Sequence, residues 1–474
     1  MLTALGGLLV PICLWFWRRP VALLMMVPIY SVFSAAALII IGGLGITPGL
    51  LPSAIFIGVF FLNYLNGIRY PAERSVLLLL LPFILVVCGA LGSSIIMPRL
   101  FENQVMVWPQ KISSFFTPSL LTPSEGNITQ DLYLLANALL TITAAFYLTR
   151  PGRLLSRLMD CYFWAGILVV VISIWQFMAN VLHVYYPTKI FLSNPGWALL
   201  SDQSVGWLGR LNGPFSEPAA LSSYMCGSIS AAGWVIVNGD RRLLPKVTFW
   251  GALLVTFLTT ASTGYLTLLA LAGLLALRVV SAASWALRRR AAAGLLLGLV
   301  AAAVILFLIY TAAPGIFKEL GLVLDGTIDK TQSSSYQARS TLDVDSLREL
   351  ANTYGLGVGW GSNRSSSLLP GLCAAIGLWG VGGLVLFGLL LMRQARRAMN
   401  LTVDPELHYV IRGSAAALIA NLISNLLSGP TISSPDFYLL LAMLVAATAR
   451  AQHETTAPIW RGAAVRQAQA MQSA

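Results

Sequence analysis

The residues in this sequence best suited to chemistry are three arginines and a glutamate that lie in polar stretches between long apolar segments. Arg210 and Glu217 are joined by a short turn that contains a proline. Arg339 and Arg364 belong to a longer polar stretch nearer the C-terminus. A guanidinium group binds a phosphate through two parallel hydrogen bonds, and a carboxylate accepts the proton of a hydroxyl group. These residue types therefore fit a substrate that carries both a phosphate and a hydroxyl group.

Each of these residues also has a structural interpretation. Pro218 suits the first turn of a helix, and a carboxylate at Glu217 is stabilised by the helix dipole by about 0.3–1 kcal/mol. The arginines of the longer stretch can form surface ion pairs or contact lipid headgroups, and the available acidic partners are Asp343, Asp345 and Glu349. The surface interpretation is favoured for Arg348, and both interpretations stay open for Glu217.

Alternating glycines occupy residues 355–364, which read Gly-Leu-Gly-Val-Gly-Trp-Gly-Ser-Asn-Arg. Glycines permit tight turns and let a ligand approach backbone N–H groups closely. The string lacks the Gly-Lys-Ser/Thr ending of a nucleotide-binding P-loop. Arg364 and residues 365–367 open the next apolar segment, where the N-terminus of a helix favours anions. The sequence therefore predicts an anion site at this junction.

A short amphipathic helix is predicted just before the glycines. Residues 340–343, Ser-Thr-Leu-Asp, resemble a capping box, and apolar residues follow at helical spacing. On this prediction Arg339 lies just before the helix and Arg348 lies within it.

Membrane helices are the elements that must position these residues. Hydrophobic residues make up 57% of the 474-residue chain and charged residues only 10%, and the mean hydropathy is +0.77. Apolar stretches long enough to cross a ~30 Å hydrocarbon core recur along the chain to about Ala447. We therefore predict an all-α polytopic membrane protein with about 12–14 transmembrane helices, in a single integral membrane domain that covers residues 1–474.

Clusters of arginine and lysine determine the predicted topology. They recur after alternate apolar stretches, beginning with Arg18 and Arg19, and such residues are retained on the cytoplasmic side. The net charge of +12 is thus a topology signal, and no continuous basic face indicates a nucleic-acid partner. The pattern predicts a cytoplasmic tail at residues 450–474 and outer loops at residues 97–130, 184–216 and 312–365.

The other polar residues are given structural roles. The 97–130 loop is interpreted as a cap, with Trp108, Phe115 and Phe116 suited to the membrane interface. The five cysteines and three histidines are scattered without metal-ligand spacing, so no metal or cofactor is predicted. Near the last outer turn, helix capping is favoured over a cavity-lining role for Asn421, Asn425 and Asp436.

Three motifs resemble those of the O-antigen polymerase/ligase superfamily, and are most similar to the Wzy-type polymerases of bacterial exopolysaccharide clusters. They are Arg-x-x-Gly-x-Phe-x-Glu-Pro at residues 210–218, Ser-Thr-Gly at residues 262–264, and Gly-x-Gly-x-Gly-Ser-x-Arg-x-Ser-Ser at residues 357–367. The resemblance implies the architecture of a C-type glycosyltransferase with a large periplasmic loop late in the chain. It also implies chemistry on undecaprenyl-diphosphate-linked glycans without nucleotide sugars or metal, at the periplasmic face of a bacterial inner membrane.

The leaving group of such a reaction, a diphosphate with concentrated negative charge, suggests a hypothesis for the roles of individual residues. Arginines would bind the diphosphate and Glu217 would accept the proton of the acceptor sugar; the implied catalytic residues are Arg210, Glu217, Arg339 and Arg364. Residues assigned to substrate binding are Asn212, Tyr336, Arg348, Gly359, Ser362 and Asn363. The expected partners are undecaprenyl-diphosphate-linked oligosaccharide, the lipid bilayer, a flippase and a chain-length regulator.

Other classes of protein share part of this pattern. Ligases of the superfamily carry a histidine shortly after the glycine-rich string, whereas this chain has Ser-Asn-Arg-Ser-Ser-Ser at residues 362–367, which favours a polymerase. Ligase-type transfer to a different acceptor and a polysaccharide flippase or exporter stay as alternatives. A flippase, however, is expected to place ionisable residues along a pathway near the bilayer midplane. A structural partner of a polysaccharide synthase would need none of these arginines.

Overall fold

The structure, a computed structural model, describes residues 1–110, 117–195, 204–205, 208–281, 285–312, 334–429 and 432–472. Phe115, Phe116 and the first part of the predicted 312–365 loop lie outside these residues. Helices dominate the described chain. In order they are α1 (Ala4–Trp15), α2 (Pro20–Ser31), α3 (Leu50–Leu65), α4 (Glu73–Leu100), α5 (Glu125–Leu148), α6 (Leu154–Leu182), α7 (Thr188–Phe191), α8 (Pro218–Val237), α9 (Leu243–Leu258), α10 (Ser262–Ser281), α11 (Trp285–Ala312), α12 (Ser334–Asn352), α13 (Leu368–Leu401), α14 (Pro405–Leu427) and α15 (Pro435–Gln472).

Six helices in the described part of the chain are long and apolar enough to cross a membrane: α4, α5, α6, α8, α13 and α14. Shorter apolar helices accompany them, including α1, α2, α3 and α9. The chain is therefore a helical, multi-pass membrane protein, as its composition predicted. The total of about 12–14 crossings stays a prediction.

The strands of the described residues form three short antiparallel pairs. Two of these pairs lie in predicted outer loops, one in the 97–130 loop and one in the 184–216 loop. Ile39 pairs with Ile46 in the first pair and Met106 with Leu120 in the second. The pairs are β1 (Ile39–Ile41) with β2 (Leu44–Ile46), β3 (Met106–Val107) with β4 (Ser119–Leu120), and β5 (Ser204–Val205) with β6 (Leu208–Gly209).

The start of α8 agrees with the sequence prediction. Glu217 is the extended N-cap residue and Pro218 takes the first helical position, where its missing N–H has no helical partner to lose. From there α8 packs against α9 and α14, and several of its buried side chains are small, among them Ser228, Ala231 and Ala232. Small residues let membrane helices approach closely. Glu217 is thus fixed at the end of a central, tightly packed helix.

The polypeptide is not helical between α9 and α10, at residues 259–261. Thr260 has a φ of +52°, a conformation that is rare for a β-branched residue. Ser262, Thr263 and Gly264 then begin α10. The break lies directly before the Ser-Thr-Gly motif, and it releases the carbonyl group of Thr260 from helical hydrogen bonding.

A second break interrupts α13 at Gly377, whose φ of 67° and ψ of −177° are not helical. The glycine-rich string is hydrogen-bonded to the backbone at this break. The N–H of Val358 donates to the carbonyl of Ala374 at 2.7 Å, and the N–H of Leu378 donates to the carbonyl of Gly355 at 2.9 Å. These bonds replace helical ones, which matters because unpaired backbone groups are costly inside a membrane protein.

The glycines of this string are needed for contacts within the protein. Gly357 and Gly359 have φ values of 85° and 99°. A Cβ on Gly357 would lie 2.7 Å from the carbonyl oxygen of Ala374, and one on Gly359 would lie 2.7 Å from that of Ser93. The expectation that these glycines admit a ligand to the backbone is therefore wrong, since backbone of α4 and α13 already fills the space.

The predicted capping box at residues 340–343 does not form. Helix α12 begins earlier, at Ser334, so Arg339 lies inside the helix and not before it. Thr341 Oγ1 donates to the carbonyl of Gln337 at 2.9 Å, as a threonine in a helix interior does. The capping signature is local, and the good helix formers that precede it, among them Gln337 and Ala338, extend the helix backwards.

Replacing Gly359 with alanine should lower stability by about 2–4 kcal/mol, because the new Cβ is both strained at positive φ and overpacked. Thermal unfolding in detergent measures the change. Gly382→Ala in α13 is the matched control, since its Cβ would meet nothing within 4 Å, and it should be neutral or stabilising by up to ~1 kcal/mol. Equal unfolding midpoints for the two variants would contradict the packing described here.

Candidate functional site

The loop that carries Arg210 is held against the end of α6. Gln176 Oε1 accepts hydrogen bonds from the N–H groups of Asn212 at 3.1 Å and Gly213 at 2.7 Å. Asn180, one turn further along α6, donates to the carbonyl of Gly209 at 3.0 Å. The amide side chains of Gln176 and Asn180 therefore hold the backbone of this loop against α6.

Asn212, expected to bind substrate, instead stabilises this turn. Its side chain is only 2% exposed. Its Nδ2 donates to the carbonyl of Phe215 at 3.0 Å, and its Oδ1 accepts from Gln176. Both ends of the amide are therefore used inside the loop, and a role of Asn212 in substrate binding stays a prediction.

Arg210 reaches from this loop to the break between α9 and α10. Its Nη2 donates to the carbonyl of Thr260 at 3.3 Å. Burial lowers the pKa of Arg210, and the positive charge of Arg339 lowers it further, whereas Glu217 and Tyr265 act in the opposite direction. The guanidinium is thus held in a partly desolvated position close to a second positive charge.

Arg339 completes a group with Arg210 and Glu217. Its Nη2 lies 3.9 Å from Glu217 Oε2, and its Nη1 donates to Ser428 Oγ at 3.5 Å. About a third of each side chain in the Arg339–Glu217 pair is exposed, 38% and 31%. The structure therefore brings three of the four predicted catalytic residues together, with two positive charges beside one negative charge, at a site that water can reach.

Arg364 lies in the neighbouring segment of chain. Its N–H donates to the carbonyl of Trp108 at 2.8 Å, and the carbonyl of Ser366 accepts from the N–H of Gly429 at 3.0 Å. Gly429 follows Ser428, the hydrogen-bond partner of Arg339. The backbone thus connects the segment of Arg364 to the group formed by the other three residues.

The predicted anion site at the start of α13 is taken by a carboxylate of the same chain. Asp343 Oδ1 accepts from the N–H groups of Ser366 at 2.8 Å and Ser367 at 2.9 Å, and its Oδ2 accepts from Ser367 Oγ at 2.6 Å. The principle behind the prediction holds, since a helix start does attract an anion. Asp343 occupies these amides, however. The sequence prediction of a site for an external anion is therefore corrected at these N–H groups.

Ser362 and Asn363 are buried and hold neighbouring segments together. Ser362 Oγ accepts from Asn127 Nδ2 at 2.7 Å, and Asn363 Nδ2 donates to Ser346 Oγ at 2.9 Å. Gly359 packs against α4, as described above. These contacts give Ser362, Asn363 and Gly359 a part in packing, and their role in substrate binding stays a prediction.

Two other predicted substrate-binding residues lie on α12. Arg348 forms an ion pair with Asp345 at 2.9 Å and its side chain is 72% exposed, which is the surface interpretation favoured from the sequence. Tyr336 is 43% exposed and lies three residues before Arg339, on the same side of the helix. A role for Tyr336 in substrate binding stays a prediction.

The 97–130 loop packs on α12 and on the glycine string. Trp108 Nε1 donates to Asp345 Oδ2 at 3.0 Å, and Gln110 donates to the carbonyl of Asn363 at 2.7 Å. These contacts agree with the interpretation of the loop as a cap. The cap covers the side of α12 that does not carry Arg339.

Sequence reasoning missed a buried polar group beneath the site. The hydroxyl of Ser228 on α8 lies beside the phenols of Tyr162 and Tyr224, and the carboxylate of Asp436 interacts electrostatically with both phenols. Asn421 is close to this group, on the opposing helix α14. Polar residues that recur three or four apart in an apolar helix, as in Tyr224 and Ser228, were the available signal.

The favoured capping interpretation holds for only part of this region. Asp436 lies in the first turn of α15 and accepts a hydrogen bond from Ser434. Asn421 lies in the interior of α14, well before its end at Leu427, so a capping role is wrong for Asn421. Asn421 and Ser424 instead continue the polar face of α14 inward from Ser428.

Glu349 on α12 is an acidic residue in an unusual environment. It is only 1% exposed. Burial raises the pKa of its carboxyl group to about 9, with a further increase from Asp345 and a partial offset from the backbone of Trp108. At neutral pH the group is therefore protonated while α12 is packed against the cap.

Within the described residues, no three His, Cys, Asp or Glu side chains are grouped as metal ligands. The candidate site presents two guanidinium groups, the partly exposed carboxylate of Glu217 and the carbonyl of Thr260. The sequence matches no family model, and no curated protein matches it significantly.

Stability should decrease as pH rises because of Glu349. Its pKa is higher in the folded protein, about 9, than the ordinary 4.5, so between these values the folded state holds the extra proton. Raising the pH in this range then destabilises the fold, by at most ~1.4 kcal/mol per pH unit. Thermal unfolding between pH 6 and 8 should show this slope.

Glu349→Gln should flatten the slope and raise the unfolding midpoint at pH 8, because the amide is neutral at every pH. Glu102→Gln, at an exposed position, is the matched control and should keep the wild-type slope. An unchanged slope in Glu349→Gln would show that another group titrates.

Proposed function

We propose that this protein is a membrane glycosyltransferase that polymerises lipid-linked polysaccharide repeat units. It transfers the growing glycan from undecaprenyl diphosphate to a new undecaprenyl-diphosphate-linked repeat unit at the periplasmic face of a bacterial inner membrane. The observation that carries the proposal is the convergence of Arg210, Arg339 and Glu217 at the end of the membrane helices. The motif resemblance adds the class of substrate.

Electrostatics supports a diphosphate as the ligand of this site. Arg210 and Arg339 are close enough to repel each other, as the effect of Arg339 on the pKa of Arg210 shows. Glu217 acts on both charges, since it pairs with Arg339 and raises the pKa of Arg210. A diphosphate would add negative charge between the two arginines, and arginine is the side chain whose geometry suits two-point binding of phosphate oxygens.

The proposed reaction is a displacement at the anomeric carbon of the donor sugar. A hydroxyl oxygen of the acceptor sugar forms the new bond to that carbon, and the bond from the carbon to the diphosphate oxygen breaks. The leaving undecaprenyl diphosphate keeps the electron pair, and Arg210 and Arg339 stabilise its negative charge. Glu217 accepts the proton of the attacking hydroxyl. A single displacement of this kind inverts the anomeric configuration.

The contacts of Glu217 suit its proposed role. Its carboxylate is partly exposed, and its nearest cationic partner, Arg339, stands 3.9 Å away, which leaves an oxygen accessible to a hydroxyl group. Backbone of α8 fixes its position at the start of the helix. The base and the arginines therefore come from separate elements that meet only in the folded protein.

The decisive test uses purified protein in detergent with undecaprenyl-diphosphate-linked repeat units and no nucleotide or added metal. A ladder of multiples on a gel would support a polymerase. If no ladder forms and a lipid A core acceptor is then glycosylated, the protein is a ligase. If intact substrate persists with both acceptors and is instead moved across proteoliposome membranes, the transport alternative holds.

Arg210→Ala and Arg339→Ala should each reduce the rate of polymer formation by about 10²–10³-fold, because each removes a charge that stabilises the leaving group. The reaction above measures the rate. Arg99→Ala removes an exposed arginine near the end of α4 and should stay close to wild type. Polymer of normal length and rate from the Arg210→Ala/Arg339→Ala double variant would contradict the assignment.

A further inference from the structure

A cavity lies at the opposite end of α6 from the candidate site. The loop of Arg210 is bonded near the last residues of α6, whereas this cavity is beside its first residues. A helix of this length separates its ends by about 40 Å. The cavity has a volume of about 360 Å³, and its walls include Val21, Tyr147, Arg150, Arg153, Leu154 and Arg157.

The walls of this cavity carry positive charge. Three arginines line it, and no carboxylate is among the described residues that do. Glu406 lies close to this end of α6, since its Oε1 accepts from the N–H and the Oγ of Ser156 at 3.1 and 3.0 Å. Its other oxygen lies 3.6 Å from Arg450, which also pairs with Asp404 at 3.6 Å and Glu454 at 2.7 Å. Arg450 also donates to the carbonyl of Gly152. In the part of the chain that the structure describes, the ion pairs of these carboxylates are with Arg450 and not with the three arginines of the cavity.

Two of these arginines are exposed and lie at the start of α6. Arg153 is the N-cap residue of α6, where the helix dipole disfavours positive charge. Arg157 lies four residues later, and like charges at this spacing repel on a helix. In the described part of the chain, neither of the two forms an ion pair with a carboxylate. A bound anion would interact favourably with the helix dipole and with both arginines.

The third arginine is held in place by aromatic rings. The Cζ of Arg150 lies 4.7 Å from the ring centre of Tyr70 and 4.4 Å from that of Tyr147. The two rings hold the guanidinium at the wall of the cavity, and a guanidinium carries five N–H donors that suit a planar or forked acceptor. Phosphate oxygens are acceptors of this kind.

The position of the cavity indicates where the phosphate comes from. It opens between the end of α5 and the start of α6, and both helices are long and apolar enough to span a membrane. The loop that joins them therefore lies at the boundary between membrane and water. Val21 and Leu154 add apolar walls beside the arginines. An acidic lipid presents this combination of phosphate and hydrocarbon, whereas a free phosphate lacks the hydrocarbon.

We propose that this cavity binds the phosphate headgroup of an acidic membrane phospholipid, through Arg150, Arg153 and Arg157. The proposal is independent of the proposed function, because the cavity and the candidate site are at opposite ends of α6. Basic pockets between membrane helices are known to hold such headgroups.

The test measures lipid binding by the detergent-purified protein, using native mass spectrometry and thermal unfolding with added cardiolipin, phosphatidylcholine or inorganic pyrophosphate. Cardiolipin should bind and raise the unfolding midpoint, and phosphatidylcholine should not. Arg153→Ala/Arg157→Ala should weaken cardiolipin binding about tenfold or more. Arg396→Ala/Arg397→Ala, two exposed arginines near the end of α13, is the control with the same loss of charge and should bind as wild type does.

Two outcomes would overturn the proposal. Equal weakening by both double variants would show a general effect of charge and no specific site. Stabilisation by pyrophosphate equal to that by cardiolipin, and lost in Arg153→Ala/Arg157→Ala, would show a site for soluble phosphate in place of lipid. A variant that fails to fold is recognised from its unfolding midpoint without lipid, and Arg153→Gln/Arg157→Gln then replaces it.

Discussion

The hydrogen bonds between the glycine-rich string and the break in α13 are the interaction on which the outer part of this protein depends. A membrane helix broken at Gly377 would leave backbone groups without partners, and here residues 355–359 supply those partners. Once the string is fixed in this way, the segments on either side of it are fixed as well. Helix α12 precedes it, the start of α13 follows it, and the 97–130 loop packs over both. The string is held mainly by hydrogen bonds between backbone groups.

The candidate site follows from this arrangement and from a second one at α6. The string and Asp343 hold α12 so that Arg339 faces Glu217 at the start of α8. Gln176 and Asn180 hold the loop of Arg210 against α6. The group therefore forms where two independently supported segments meet. The positive charges of Arg210 and Arg339 are close together because the folds of both segments bring them there. The repulsion between these two charges makes the site suited to an anion.

Local signals in the sequence predicted local structure well. Pro218 and Glu217 marked the start of α8, the apolar stretches marked membrane helices, and Arg348 was correctly interpreted as a surface residue. Predictions about partners were less successful, because those partners lie far away in the chain. Nothing near residue 343 indicates that Asp343 bonds to the start of α13, or that Gly359 contacts Ser93. The pairing of Arg339 with Glu217 was equally hard to predict. The type and sequence neighbourhood of each residue marked it as a candidate, yet only the fold shows that the two residues meet.

Helix α12 is anchored unevenly along its length. Its contacts with the cap and with the start of α13 run from Asp343 to Thr353, whereas Arg339 lies one turn before the first of them. The contacts of Arg339 itself are longer, at 3.9 Å to Glu217 and 3.5 Å to Ser428. The two ends of the helix are thus held by different neighbours: the cap and the start of α13 hold the later part, and the start of α8 and the end of α14 meet the part that carries Arg339. The position of this guanidinium group therefore depends on four segments that are far apart in the sequence.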